Sequence, residues 1–407
     1  MKKHLRNKIL GCIVLLYLLT GCHANEPIET SASIPPTGST ANTPTISDAI
    51  QSDPLETEHI KAAEDGLLSR QDIQRIYYGP TGTLLISTPD TLYWYDAGQD
   101  EILAQRPADN WLEAAFYSAG DTLCAIVTAA AGESAGGFTS SLSTDTMCIF
   151  FDGMLQEAET FNLSDLEENG NYIRCTAVSS DGNKIAYATL DKLCYYDRAS
   201  NTLSLVLDLS YENIADNRGL SSISSIVFDP SESRLLFCGS SFTLPLTEGQ
   251  NSYVTYGCIY LDGTGLQNLP FQGFEAGSLA GSAGGYLIFE ESMKSPSGKL
   301  AVVNGEDMSQ QVYSLGSVKE GTSGLFCSQD GGFYATEEVG ANSITLQIYD
   351  RVTGQLACTR IFEDANAEYF YRPPAIYIID SQELCIVKLG GFNEIPSKVV
   401  TFSLSRG

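Results

Sequence analysis

The chain has 407 residues, with 50 acidic side chains against 23 basic ones and a formal net charge of −27. Acidity on that scale argues against nucleic acid as a partner and against electrostatic adhesion to anionic lipid, because both select basic faces. The three histidines are His4, His23 and His59, so a Ser-His-Asp triad, a Cys-His pair and a His-rich zinc site are excluded from everything downstream of residue 59.

The first element is a cationic run (Lys2, Lys3, Arg6, Lys8) followed by uncharged, mostly apolar residues from Ile9 to Leu19. This is the layout of a secretory signal, and the apolar run is shorter than the roughly 20 residues a stable membrane-spanning helix needs. Leu19-Thr20-Gly21-Cys22 resembles the lipobox of bacterial lipoproteins. The resemblance implies cleavage before Cys22 and a diacylglycerol, with palmitate-like chains, on its sulfur. Two acyl chains suffice for stable anchoring at the extracytoplasmic face of the cell membrane. A short uncleaved anchor or an ordinary secretory signal is the alternative. Without residues 1–21 the formal charge becomes −31, so contact with the membrane is expected through the lipid alone.

Residues 22–56 are rich in Ser, Thr, Pro, Ala and Glu and hold almost no large apolar side chain. Such a segment buries too little surface to offset its ordering entropy and is expected to be a disordered tether. Within 57–71 the spacing of Ile60, Ala63 and Leu67 predicts a short helical lead-in.

From 72 to 407 helical periodicity is scarce. Runs of four to eight β-branched and aromatic residues alternate instead with Gly, Asp, Asn and Ser clusters, the pattern of an all-β domain. Two kinds of turn recur. One is Gly- or Pro-rich: Gly79 to Gly82, Ser118 to Asp121, Ser180 to Asn183, Asp229 to Ser233, Ser282 to Gly285, Gln329 to Gly332 and Arg372 to Pro374. The other closes an aromatic strand, mostly with Asp: Asp96, Asp152, Asp197, Asp262 and Asp350, with weaker matches at Asn304-Gly305 and Gly390-Gly391. The series interleave to give seven units of about 40 to 60 residues, room for four short strands each. One such sheet cannot bury its own faces, and closing several in a ring leaves only short edges. The fold expected is a single β-propeller of about seven four-stranded blades, with six or eight as alternatives, the last blade drawing its fourth strand from Ser397 to Leu404.

Ser179-Ser180-Asp181-Gly182-Asn183-Lys184-Ile185-Ala186-Tyr187 resembles the Ser-Pro-Asp-Gly-Lys turn of TolB-type, WD-repeat-like propellers. Ser295 to Ala301 and Phe228 to Ser231 are looser echoes, and the Trp-Asp dipeptide of true WD repeats is missing, since Trp94 and Trp111 precede Tyr95 and Leu112. The resemblance implies architecture and not activity.

Of eleven cysteines, Cys12 lies in the signal and Cys22 in the lipobox, leaving nine with no Cys-x-x-Cys pair. Most sit inside apolar runs, as in Leu123-Cys124-Ala125, and are expected to be buried free thiols. In an up-and-down blade the tight a-to-b and c-to-d turns share one face, and the long b-to-c and d-to-a connections share the other. A ligand is therefore expected on the loop-rich face, near Asp165, Glu167, Glu168, Tyr211, Glu212, Asp216, Phe242 and Tyr253. No catalytic residue, resident metal or cofactor is assigned, although calcium at an acidic loop is compatible with the composition. The favoured reading is a non-catalytic receptor or scaffold for a protein or glycan. The alternative is an exported hydrolase or lyase acting on carbohydrate through a carboxylate pair about 5 to 10 Å apart. Replacing Cys22 by alanine is expected to shift the chain from the membrane pellet to the soluble extracytoplasmic fraction; retention in the pellet would contradict lipid anchoring.

Overall fold

The seven alternations of apolar run and turn become seven antiparallel sheets in a computed structural model. It describes residues 66–404 without 109–110, 121, 130–144, 167–171, 248, 284, 293–298, 315–321, 329–331, 340–342, 351–355, 364–374, 380–383 and 390–395. Blades 1 to 7 span 75–107, 111–162, 175–208, 220–270, 276–314, 322–363 and 375–403, each a meander whose strands pair in chain order. Six have four strands, and the seventh has three among the described residues. The architecture is the expected all-β propeller, and the blade number is seven. The described helical elements are four 3-10 turns of three or four residues.

Blade number and ring closure follow from how the second strands are written. In Leu84-Leu85-Ile86 and Leu123-Cys124-Ala125-Ile126-Val127 consecutive side chains point to opposite faces, and all are buried. Leu84 and Ile86 join blade 7, and Leu85 joins Leu123, Ala125 and Val127 of blade 2. Cys124 and Ile126 face Ile185 and Tyr187 of blade 3. Every adjacent pair of blades, including the last and the first, shares one such apolar cluster. The eight described cysteines are free thiols; seven are buried and Cys175 is half-buried.

The seam between blades 7 and 1 differs from the expectation. The strand Lys398–Ser403 pairs with Leu384–Leu389 and is, among the described residues, the third strand of its sheet and not the fourth. Ala375–Ile379 and Leu384–Leu389 pair as the first two described strands of blade 7, so Arg372 to Pro374 precede these strands and Gly390-Gly391 follow the second. The aromatic-then-turn cue that marks third strands elsewhere is absent here, which displaced the phase by one strand. Of the lead-in, Leu67–Ser69 is a 3-10 turn, and residues 57–65 lie outside the described residues, as do the signal, Cys22 and the tether. Leu67, Leu68 and Ile73 are buried with Ile379, Ile386 and Val399. The Ser397 N–H donates to the Gln71 carbonyl at 2.7 Å and its hydroxyl to the Arg70 carbonyl at 3.1 Å. Tyr377 Oη donates to the Ile76 carbonyl at 2.7 Å, and the Ile378 N–H to Tyr78 Oη at 2.9 Å.

Turn chemistry sets the other blades. In the Ser179 to Lys184 turn the Ser179 hydroxyl donates to Asp181 at 2.6 Å, the Asn183 N–H donates to the same oxygen, and Gly182 supplies φ of 73°. The equivalent turn in blade 4 is built on buried Asp229, whose carboxylate accepts the N–H groups of Ser233 and Arg234, the Ser231 hydroxyl and the Arg234 guanidinium. Arg234 in turn donates to the Gly305 carbonyl of blade 5 at 3.0 Å. Burial pushes the Asp229 carboxyl up, but these donors outweigh it and hold it below the usual carboxylate range. Its folded-state pKa being depressed, its contribution is fully present above about pH 4 and is lost as pH falls through the folded value. Asp229→Ala is expected to cost about 2–3 kcal/mol in urea unfolding at pH 7, and less as the pH approaches 3, because it strands a half-buried guanidinium. An unchanged midpoint would contradict the role given to this turn.

Candidate functional site

The first strand of each blade lies nearest the ring axis, so first strands of neighbouring blades approach one another. Several are long: Trp111–Ala119 and Leu220–Phe228 have nine residues, and Ala276–Ala283 has eight. The register of the first strands of blades 2, 4, 5 and 6 slips in their leading part, at Trp111/Glu113, Leu220/Ser222, Ala276/Ser278 and Thr322/Leu325. Such bulges re-aim side chains and are enriched beside binding sites. Here they sit toward the face that carries the long connections.

Two cavities open on that face. The first, of about 490 Å³, is lined by first strands of blades 1 to 4 and runs along the cleft between blades 2 and 3. Blade 1 contributes Arg75, blade 2 contributes Ala114, Ala115, Tyr117, Thr128 and Thr146, and blade 4 contributes Ser225. Tyr172, Arg174, Cys175 and Thr176 come from the start of blade 3 and the chain leading into it. Both arginines are exposed to the cavity. Arg75 Nη1 lies 3.4 Å from Tyr77 Oη, and among the described residues no hydrogen bond or ion pair fixes the Arg174 guanidinium. Tyr117 Oη donates to the Thr176 carbonyl at 3.0 Å and bridges blades 2 and 3 beneath them. Burial pushes the Cys175 thiol up to about 12, with the Arg174 charge acting in the opposite sense. No carboxylate lines this cavity among the described residues. It can therefore orient an acceptor-rich ligand through guanidinium and hydroxyl groups.

The second cavity, of about 650 Å³, lies between blades 4 and 5. Tyr253, Phe271 and Phe274 give it an aromatic wall beside Pro270, and Glu275 is its one described carboxylate. Phe271 packs edge-on to Phe274 and Phe289 at 5.6 and 4.8 Å, which fixes that wall from behind.

Of the described residues expected from sequence, Tyr253 lines the second cavity and none lines the first. Asp165 is exposed and accepts from Asn162 at 3.2 Å; Glu167 and Glu168 lie outside the described residues. Tyr211, 71% exposed, stands with Glu212 and Asp216 on the connection into blade 4. That connection is pinned to the loop after Ser241, since the Phe242 N–H donates to the Gly219 carbonyl at 2.9 Å. Gly219 has φ of 90°, and a Cβ there would approach the Phe242 carbonyl oxygen to 2.3 Å. The described members of the expected set thus share the face but do not converge. The arginines were missed because the search followed long loops, while Arg174 and Arg75 stand where first strands begin; phasing each blade on its first strand would have found both. No cluster of three or more His, Cys, Asp or Glu side chains able to hold a metal ion occurs among the described residues.

No family model matches the chain, and no curated protein matches it by sequence. Among solved structures it is similar to the β-propeller domain of Cps50 (Swd1) from Myceliophteria thermophila, at 12% identity and a TM-score of 0.52, over 85% of this chain and 99% of that one. A eukaryotic initiation factor aligns with a TM-score of 0.45 at 12% identity, over 87% and 88% of the two chains. The first likeness shows a WD40-like propeller fold and nothing about activity.

A maleimide added at pH 7 is expected to modify Cys175 before any other described cysteine, yet about 1,000-fold more slowly than a free thiol, since only the thiolate reacts. Mass spectrometry of a time course checks both; equal labelling of Cys175 and Cys194 would contradict the exposure of the cavity.

Proposed function

We propose that this chain is a lipoprotein, anchored by diacylglyceryl-Cys22 at the extracytoplasmic face of the cell membrane, whose TolB-like propeller binds a protein or glycan partner without catalysing a reaction. The observation that carries the reading is that both cavities, and the bulged first strands beside them, belong to the loop-rich face. Opposite faces of such a ring differ in kind: tight turns bound by their own Asp side chains leave little to offer a partner, whereas long connections supply exposed groups such as Tyr211. Exposed Tyr253 and half-buried Phe271, backed by buried Phe274, add aromatic surface on which binding energy concentrates.

The second reading, a hydrolase or lyase using two carboxylates, needs an acid pair at one cavity. Guanidinium and hydroxyl groups at the axial cavity, with Glu275 the one described carboxylate at the other, favour holding a ligand over cleaving one.

The reading is tested by mild cross-linking in the native membrane and mass spectrometry of what co-purifies, with Cys22→Ala as the release control. One abundant envelope partner, lost in the Tyr211→Ala, Tyr253→Ala double variant, is the expected result. No partner under several conditions, together with turnover of a glycan panel by the purified chain, would overturn it in favour of the enzyme.

A further inference from the structure

The cavity between blades 4 and 5 is built around one aromatic platform. Phe271 stands in the connection from the last strand of blade 4 to the first strand of blade 5, and three rings pack against it. Their centroids lie 4.8 Å away for Tyr256, 5.6 Å for Phe274 and 4.8 Å for Phe289. Tyr256 belongs to the third strand of blade 4 and Phe289 to the second strand of blade 5, so both blades fix the platform. Phe271 itself is half-buried, and Tyr253, 37% exposed, offers a second ring to the same cavity.

Glu275 supplies the charge. Its backbone is tied across to blade 5, since the Ser292 N–H donates to the Glu275 carbonyl at 2.8 Å. The residue is exposed, and among the described residues no hydrogen bond or ion pair holds its carboxylate. No described lining residue is Lys or Arg. Ring faces and a carboxylate attract the same sign of charge, so this lining selects a cation. Anions are disfavoured twice, by Glu275 and by the net charge of −27 on the whole chain. The kind of cation follows from the rest of the wall. A hard metal ion needs several oxygen ligands, and no cluster of three or more candidate ligands occurs among the described residues. Val254, Pro270 and Phe271 instead present apolar surface, which favours a cation that carries its own methyl groups.

We infer that the cavity between blades 4 and 5 binds a quaternary ammonium group of the choline type, its methyl groups against Phe271 and Tyr253 and its charge answered by Glu275. The group is carried either by a small solute or by a phosphocholine substituent, and the volume of about 650 Å³ accommodates it with solvent. The inference rests on the binding reading above for the choice of face, and deepens it by naming the chemical group recognised.

The test is calorimetric titration of the full chain in maltoside micelles with choline, its uncharged carbon isostere dimethylbutanol, and phosphocholine. Choline is expected to bind at least about tenfold more tightly than the isostere, and less tightly as salt rises. Glu275→Gln is expected to weaken choline about tenfold while leaving the isostere and the thermal midpoint unchanged, since this carboxylate has no described structural partner. Tyr253→Leu, which keeps apolar area and removes the ring face, is expected to weaken choline about 3- to 30-fold. Phosphocholine bound at least as tightly as choline assigns the group to a substituent, and weaker binding assigns it to the solute; both uphold the inference. No heat of binding for choline, an isostere equal to choline, or choline binding undiminished in Glu275→Gln would overturn it. Partner capture that persists while choline fails to bind sinks this inference only; choline binding with no partner captured under any condition sinks the macromolecular-partner reading and leaves the site standing.

Discussion

Each blade is a sheet with two apolar faces and no means of hiding either alone. Burying one Leu or Ile side chain is worth about 1.5–3 kcal/mol, and each blade interface gathers from five to a dozen buried residues from two sheets. None of that gain is available until a neighbour arrives, and the last blade's outer face finds its neighbour only in the first. The closed ring is therefore a condition for every interface rather than an addition to them. Second strands carry most of this requirement, because their side chains serve two interfaces in alternation.

Charge is distributed to suit the same constraint. Stacking arginine on aromatic rings at the blade boundaries places scarce cations where they also reach acids of the outer strands, as Arg106 reaches Glu157 at 2.8 Å and Arg198 reaches Glu159 while donating to the Gly182 carbonyl. Each contact on the surface is weak, but several share a partly buried guanidinium, which raises their worth above that of isolated surface pairs.

Much of the fold was legible in the sequence because Asp and Gly turns have strict backbone demands. Asp181, Asp229 and Asp262 all cap turns with carboxylate-to-N–H bonds, and the strands on either side pair as their apolar runs suggest. Blade 7 was misread by one strand because its second strand, Leu384 to Leu389, ends in Gly390-Gly391 and imitates the end of a third strand. The candidate site was less legible. Arg174 and Arg75 carry no motif, and they become neighbours only when blades 1 and 3 are brought round the axis. Tyr253 was found because it flanks a long connection, a local signal that needs no ring.

The seam has a mechanical consequence. The chain enters the ring beside Ser397, and its first contacts, from Leu67 through Gln71, are shared between blade 7, at Ile379, Ile386 and Ser397, and the blade it goes on to build, at Tyr93. A pull on the N-terminal side is thus borne first by the junction of two blades that are about 300 residues apart in sequence, where no covalent link backs up the packing. The other six junctions are spanned by the chain itself. The ring has one latch, and the strand of protein through which load would arrive is threaded across it.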